Sequence, residues 1–344
     1  MKTYKIALAG CGRISESHFS AIGKTEGRLR LTAVCDVLPE RAEAAAKETG
    51  AAAYADYEEM LEKARPDAVA IATPSGLHPE MGIMAAERGI HVVSEKPIGI
   101  SLAPVDRLIE TCDRKGVRLF CVKQNRLNAT MQILKRAVDK GRFGRIYLAQ
   151  ANVFWHRPQS YYDLAPWRGS RALDGGAFLN QASHYVDSLY WLLGEVESVT
   201  AFTATLARRI PTEDTGAAAL RFKSGALGSM TVTMLAYPRN YEGSVSIFGE
   251  TGTVKLGGVA VNRFEKWEFA EYDDDDRLVE ESSYTPPNVY GFGHLAYYRQ
   301  VLDALDGRDT GHTDGRSARK SLEIVLAIYR SAETGRTVTL PLEA

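Results

Sequence analysis

Ile90–Pro97 reads I-H-V-V-S-E-K-P, an apolar strand that runs straight into Glu95-Lys96-Pro97. Upstream, Tyr4–Ser15 reads Y-K-I-A-L-A-G-C-G-R-I-S, a second apolar strand that opens into a glycine turn and then a helix. Gly10 suits the tight turn, and Gly12 lets the backbone approach a pyrophosphate, whose charge the first N–H groups of the helix would meet. Ser15 stands where that fingerprint has Gly or Ala, so helix and strand are expected to pack a little less closely there.

Around these two stretches, short apolar runs at Tyr4–Ala9, Leu31–Cys35, Ala68–Ala72, His91–Ser94 and Arg118–Val122 alternate with amphipathic segments. Pro39–Thr49 is closed by Gly50 and Pro79–Arg88 by Gly89, glycine being suited to the left-handed residue past a helix. Such a βαβ series predicts a parallel sheet. From about Asn125 the pattern changes. Helices over Ala129–Lys140 and Gly176–Leu193 precede strands at Glu197–Leu206, Thr215–Phe222, Ala226–Leu235, Gly243–Phe248, Thr253–Leu256 and Phe264–Glu271. Direct succession through tight turns such as Lys223-Ser224-Gly225 makes these strands antiparallel. The run Asp273–Asp276 reads as a solvated loop. Helices over Gly291–Leu305 and Arg316–Thr334 carry Leu322, Val325, Leu326 and Tyr329 at helical spacing, so they pack. The expected fold is α/β: an N-terminal Rossmann dinucleotide-binding domain over residues 1–124, and a C-terminal α+β domain over 125–344 with a large open, mainly antiparallel sheet.

Composition agrees with two domains. At 344 residues and 45% hydrophobic content the chain exceeds what one core usually serves. Lys+Arg 42 against Asp+Glu 43 leaves a formal charge of -1, which gives no footprint for nucleic acid or an anionic membrane. Anionic ligands must then be held by local arginines. Cys11, Cys35, Cys112 and Cys121 show no C-x-x-C spacing, so a reduced cytoplasmic protein is expected, without disulfides or a metal site. The N-terminus enters a strand at once, and no window approaches roughly 18 apolar residues, so neither export nor membrane insertion is expected.

Asp36 closes the second strand, where an acid accepts both ribose hydroxyls of an adenosine and repels a 2′-phosphate, favouring NAD. The alternative is a cap for the helix that Pro39 starts. Thr73-Pro74-Ser75 and His78 follow the central strand, beside the expected nicotinamide ribose or as caps of the next helix. Lys96, facing a dinucleotide-filled cleft, can bind or relay the proton of a substrate hydroxyl. Glu95 either binds cofactor or orients the lysine; the alternative for both is a solvated surface pair.

Asn180, His184, Asp187 and Trp191 follow at spacings of four, three and four, one stripe of a helix. A polar stripe in an apolar helix faces a cleft or a hydrogen-bonded core. Between Phe154 and Asp163, and again at Trp167-Arg168-Gly169, the chain is rich in Trp, Tyr and Arg. Arginine forks hold carboxylate or phosphate, and aromatic rings stack on bases and sugars. Arg157, Gln159 and Tyr161 fall here, and Arg126 and Arg239 are further candidate anion contacts. The other reading of this stretch is an oligomer interface.

In order and spacing, G-C-G-R-I-S, the acid at Asp36, T-P-S-G-L-H, G-I-H-V-V-S-E-K-P and the helix bearing His184 resemble the Gfo/Idh/MocA oxidoreductases over the whole chain. The resemblance implies hydride transfer from a sugar or polyol carbinol to NAD, and a second domain whose sheet builds homo-dimers or tetramers. It implies a cofactor site of Gly10, Gly12, Arg13, Ile14, Asp36, Thr73, Pro74, Ser75, His78, Glu95, Lys96, Pro97, Gln124, Trp167 and Arg168. Lys96, His184 and Asn180 become the catalytic group, and Lys96, Arg126, Arg157, Gln159, Tyr161, Asn180, His184 and Arg239 the substrate contacts. Many relatives carry Asp where Asn180 stands; an amide takes up no proton, so it orients. R-P-Q-S-Y-Y-D, W-R-G, D-G-G-A-F-L-N-Q-A-S-H-Y-V-D and P-R-N-Y-E-G-S most resemble the UDP-N-acetylglucosaminuronate 3-dehydrogenases of O-antigen biosynthesis. The expected partner is a UDP-linked uronic acid. The alternatives are an inositol or simple sugar dehydrogenase of the same family, or a dinucleotide-binding sugar sensor without turnover.

Overall fold

The computed structural model describes residues 2–285, 293–308 and 314–342. Two compact units divide the chain. The first takes Met1–Lys123 with His294–Arg319, and the second Gln124–Gly293 with Lys320–Ala344.

In the first unit, strands β1 (Tyr4–Ala9), β2 (Leu29–Cys35), β3 (Ala52–Tyr54), β4 (Ala68–Ile71), β5 (His91–Ser94) and β6 (Leu119–Cys121) form a parallel sheet in the order β3-β2-β1-β4-β5-β6. Helices α1 (Ser15–Gly23), α2 (Pro39–Thr49), α3 (Tyr57–Ala64), α4 (His78–Glu87) and α5 (Leu102–Lys115) are the crossovers. β1 and β4 are buried at nearly every position, as strands covered on both faces must be. Strand order reverses between β1 and β4, so the turns that follow them flank the switch point where dinucleotides bind in this architecture. Gly50 and Gly116 close their helices in left-handed geometry. β3 and α3 were not read from the sequence; the strand is three residues long, too short for a periodic signal.

The second unit carries an eight-stranded sheet, with β7 (Ile146–Phe154), β8 (Val196–Ala204), β9 (Thr215–Phe222), β10 (Leu227–Thr233), β11 (Glu242–Gly249), β12 (Gly252–Gly257), β13 (Arg263–Phe269) and β14 (Val338–Thr339) in the order β13-β12-β11-β7-β10-β9-β8-β14. All pairings are antiparallel except β7 with β10. Burial alternates along β9 and β10, the mark of a sheet with one face on a core. β7 was not anticipated, although the left-handed Gly141 and Gly144 make a turn before it, because its C-terminal end merges with the aromatic segment. Helices α6 (Ala129–Asp139), α7 (Gln159–Asp163), α8 (Ser183–Leu193) and the short α9 (Val279–Ser282) belong to this unit. α10 (Gly293–Leu305) and α11 (Gly315–Thr334) follow; Gly291, the expected start of α10, lies outside the described residues.

Two local expectations are corrected. Gly176–Leu193 is not one helix: Ala177–Gln181 forms a π-type turn, and α8 begins only at Ser183, so Asn180 leaves the stripe. Asp273–Asp276 is no solvated loop. Asp273 caps a 3₁₀ turn in a capping box with Asp276, and Arg136, Lys140 and Arg142 pair with Asp275, Asp273 and Asp276. Three cations at the end of α6 and beyond it hold a like-charge run that would otherwise repel itself.

Candidate active site

At the turn after β1, Gly10 has φ +95°, and a Cβ there would lie 2.5 Å from Ala72 O. Glycine is therefore required by the close approach of the two switch-point turns. Gly12 differs. A Cβ on it meets no protein atom within 4 Å, so the protein's own packing does not ask for glycine there; a pyrophosphate laid on the turn does. Ser15 is buried, and its Oγ donates to Gly12 O at 2.6 Å. Arg13 is exposed and Ile14 half-buried. Asp36 Oδ2 accepts from Cys11 N and Oδ1 from Leu38 N, both at 2.9 Å. The carboxylate thus fixes the glycine turn against the end of β2, and α2 has no side-chain cap. All four cysteines are free thiols; burial first, then the Asp36 charge, pushes the Cys11 thiol up to about 12.

The turns after β4 and β5 are joined by His78. It is buried, with ring nitrogens 2.8 Å from Thr73 O and 2.8 Å from Pro97 O. Burial pulls its pKa down, against two carbonyls that favour the protonated ring. His78 thereby ties Thr73-Pro74-Ser75 to Lys96-Pro97, a cis peptide. Lys96 is half-buried, and its N–H donates to Glu95 Oε2 at 3.0 Å.

Glu95, expected near cofactor or lysine, turns its other oxygen inward. His18 Nε2 lies 3.1 Å from Glu95 Oε1, Tyr298 OH is 2.6 Å from His18 Nδ1, and His294 Nε2 is 3.8 Å from the same carboxylate oxygen. All four side chains are buried. Burial alone would raise the Glu95 pKa, but the two imidazoles outweigh it and hold the carboxyl well below its usual range, while burial keeps His18 neutral. His18, Glu95 and His294 are of metal-binding type and lie close together. With Nε2 donating to Glu95 and Nδ1 accepting from Tyr298, His18 has no lone pair left for a cation, so the cluster is a hydrogen-bonded anchor beneath the Glu95-Lys96 turn.

In the second unit, the stripe on α8 faces the 3₁₀ segment Gln124–Leu127. Gln124 Nε2 is 3.0 Å from His184 Nε2; Arg126 donates Nε and Nη2 to Asp187 at 2.7 Å each and lies 5.4 Å from the Trp191 ring. Arg126, expected on substrate, is thus committed to Asp187, because a buried acid demands a paired cation. Gln124, expected at the cofactor, turns its Nε2 to His184 and keeps a buried Oε1 with no hydrogen-bond partner among the described residues. Asn180 donates to Asp174, whose other oxygen accepts from Gly169 N at 2.6 Å. The π-type turn is pinned from behind: Glu213 Oε1 accepts from Phe178 N and Tyr329 OH at 2.9 Å each, and Gly176 is required because a Cβ would meet Glu213 Oε2 at 1.7 Å.

The aromatic segment leaves β7. The Arg157 guanidinium lies 5.3 Å and that of Arg168 4.4 Å from the Tyr161 ring, and Arg168 also lies 4.7 Å from Trp167. Arg157 Nη1 donates to His156 O at 2.8 Å and Asn240 Oδ1 at 3.1 Å. Arg168 Nε is buried with no hydrogen-bond partner among the described residues. Gln159 bridges Asp163 and Arg209 N, and Arg239 is exposed on the loop after β10. The network of His18, His294 and Tyr298, and that of Asp174, Glu213 and Tyr329, went unread, since their members lie far apart in sequence with no shared motif.

Residues 4–123 match the NAD-binding Rossmann fold of the Gfo/Idh/MocA oxidoreductase family, and residues 135–340 its C-terminal alpha/beta domain. The chain is 30% identical over 256 residues to the myo-inositol 2-dehydrogenase of Thermotoga maritima, covering 73% of this chain and 74% of that protein. It is similar to the WlbA dehydrogenase of Bordetella pertussis, solved with NADH and UDP-GlcNAcA, at 54% identity, 99% coverage of both chains and a TM-score of 0.97. The Chromobacterium violaceum WlbA dehydrogenase, solved with the same two ligands, is 50% identical, with 100% of this chain and 98% of that one covered and a TM-score of 0.95.

Proposed function

The chain belongs to the Gfo/Idh/MocA oxidoreductase family, and on that premise we propose that it oxidises the C3 hydroxyl of UDP-N-acetylglucosaminuronic acid to the 3-keto sugar with NAD. The observation that carries this reading is the likeness, at 54% identity over 99% of both chains, to a dehydrogenase solved with NADH and UDP-GlcNAcA. Bound NAD supplies the hydride acceptor. The chain's own residues do the rest.

The Gly10–Ser15 turn and Asp36 hold the dinucleotide, with Thr73, Pro74, Ser75 and the Glu95–Pro97 turn beside it. A carbinol gives up its O–H proton as the C–H electrons leave, so the hydroxyl must meet a base and its developing charge a cation. His184 takes the proton, Lys96 steadies the alkoxide, and Asn180, which has no proton to relay, orients the sugar. Arg157 and Arg168, both close to the Tyr161 ring, with Gln159, Trp167 and Arg239, suit a carboxylate and a diphosphate; the buried Arg168 Nε, which has no hydrogen-bond partner among the described residues, supports this. An uncharged polyol has no use for them.

The product then feeds an aminotransferase that makes a 2,3-diamino uronic acid of lipopolysaccharide O-antigen. A nucleotide-sugar substrate places the work in the cytoplasm, and no described helix is long and apolar enough to cross a membrane. The protein acts as a homo-oligomer, dimer or tetramer. Leu148, Leu227 and Phe248 support that: they lie side by side in register on three adjacent strands and are exposed. Incubation with NAD and UDP-N-acetylglucosaminuronate, with and without 2-oxoglutarate, tests the reading by NADH absorbance and product mass. NADH formation with myo-inositol or glucose, and none with the nucleotide sugar, would sink it.

A further inference from the structure

We propose that Arg208, on the loop between β8 and β9, is a further substrate-binding residue that holds the diphosphate of the nucleotide sugar together with Arg157. This rests on the reading of the substrate as UDP-N-acetylglucosaminuronate. Phe154, Thr233, Thr215 and Ala204 are partners in register across β7, β10, β9 and β8. The segment that leaves β7, the loop that joins β8 to β9 and the loop after β10 therefore emerge at one edge of the sheet, and they bring Arg157, Arg208 and Arg239 to it.

The loop that carries Arg208 is fixed at several points. Asp214 is fully buried; its Oδ1 accepts from Leu206 N at 3.0 Å, and its Oδ2 accepts from Ala207 N and Arg208 N at 2.9 Å each. Thr205 Oγ1 donates to Thr212 O at 2.6 Å and closes the loop, and Thr212 Oγ1 donates to Gly169 O at 2.8 Å, which ties it to the aromatic segment. Arg208 Nε then donates to Arg157 O at 2.6 Å, one residue past the His156 carbonyl that holds Arg157 Nη1. The two guanidiniums thus rest on consecutive carbonyls. Neither Nη group of Arg208 makes a hydrogen bond to a described residue.

Among the described residues, no carboxylate lies within ion-pair reach of Arg157, Arg168 or Arg208, whereas Arg126, Arg136 and Arg142 of the same unit each have one. All three of the former are half-buried. Partly desolvated cations gathered without a counterion repel one another, and an anionic ligand relieves that. The substrate brings a carboxylate and a diphosphate. One guanidinium fork saturates a carboxylate, but the non-bridging oxygens of a diphosphate sit on two phosphorus atoms and call for more than one cation. Arg157 and Arg208 supply such a pair.

Calorimetry with NADH present and UDP or UMP as the probe tests the contact. The wild type is expected to bind UDP more tightly than UMP, because only UDP carries the second phosphate. In Arg208→Met, UDP affinity is expected to fall roughly 10- to 100-fold and UMP affinity by less, so the preference narrows. KM for UDP-N-acetylglucosaminuronate should rise by more than kcat falls. Arg208→Lys keeps the charge without the fork and should lie between. A preference for UDP as large in Arg208→Met as in the wild type would assign Arg208 to holding the Arg157 carbonyl and overturn the inference. A changed oligomeric mass with UDP affinity untouched would overturn it too. If the variants do not fold, the wild type answers: UDP must slow the modification of Arg208 by phenylglyoxal, mapped by mass spectrometry, and an unslowed rate overturns the inference. Wild-type protein that binds neither UDP nor UDP-N-acetylglucosaminuronate overturns the parent reading as well, whereas wild-type turnover of that sugar with unmoved affinities in Arg208→Met removes this contact alone.

Discussion

Arg126 and Asp187 meet as a fork on a carboxylate, Nε to Oδ2 and Nη2 to Oδ1 at 2.7 Å each, with both side chains largely withdrawn from solvent. Removing one partner strands the other as an uncompensated buried charge. Arg126→Met or Asp187→Leu is expected to cost about 3–5 kcal/mol, and the double variant to recover a large part of that loss. Urea unfolding of the three variants reads it, and additive losses in the double variant would contradict the pairing.

Gly10 and Gly12 stand two residues apart and should fail differently. Gly10→Ala forces a Cβ against Ala72 O from a left-handed backbone, so it is expected to lower Tm and to lose NAD binding through damage to the fold. Gly12→Ala has open space; Tm without ligand should hold while NAD affinity falls. Thermal unfolding with and without NAD separates the two, and a Gly12→Ala protein that binds NAD normally would remove that residue from the cofactor site.

Acid should weaken the first unit through Glu95 and His18. The folded Glu95 pKa is depressed, so its contribution is full above the ordinary glutamate value of about 4.3 and drains as pH falls below it. His18 is held neutral by burial, so below about 6.5 the unfolded chain takes up a proton that the folded ring refuses, again costing stability as pH falls. Glu95→Gln should flatten the fall of stability below about pH 4.3, measured by urea unfolding from about pH 2.5 to 7. An unchanged slope would contradict the depressed carboxyl.

Lys96→Met keeps the stem of the side chain and deletes its charge. Turnover is expected to fall at least 10²-fold, while NAD still binds by calorimetry. Full turnover would take Lys96 out of the reaction.

The parallel sheet was legible because its apolar runs and glycine-closed helices repeat a short-range pattern, and Asp36, Gly10 and Lys96 sit at its strand ends by topology alone. Thr215–Phe222 came out with its observed bounds because the turn Lys223-Ser224-Gly225 marks its end. What the sequence hid is pairing over distance. Nothing in Arg126 marks Asp187 as its partner, so it read as an anion contact, and nothing in Gln124 announces His184. The π-type turn was invisible because Asn180 keeps helical spacing to His184; the break comes from Glu213 and Tyr329, which hold its backbone from behind.

Because β7 and β10 run side by side in the same direction, no hairpin can join them, and the chain must travel out and return before β10 begins. Trp155, Arg157, Tyr161, Arg168, Asn180 and His184 all lie on that single excursion. Arg208 and Arg239 apart, the residues of the second unit proposed to meet the substrate consequently form one continuous cassette between β7 and β8, and evolution or an engineer can exchange most of its specificity in one stretch of gene without redrawing the strands on either side.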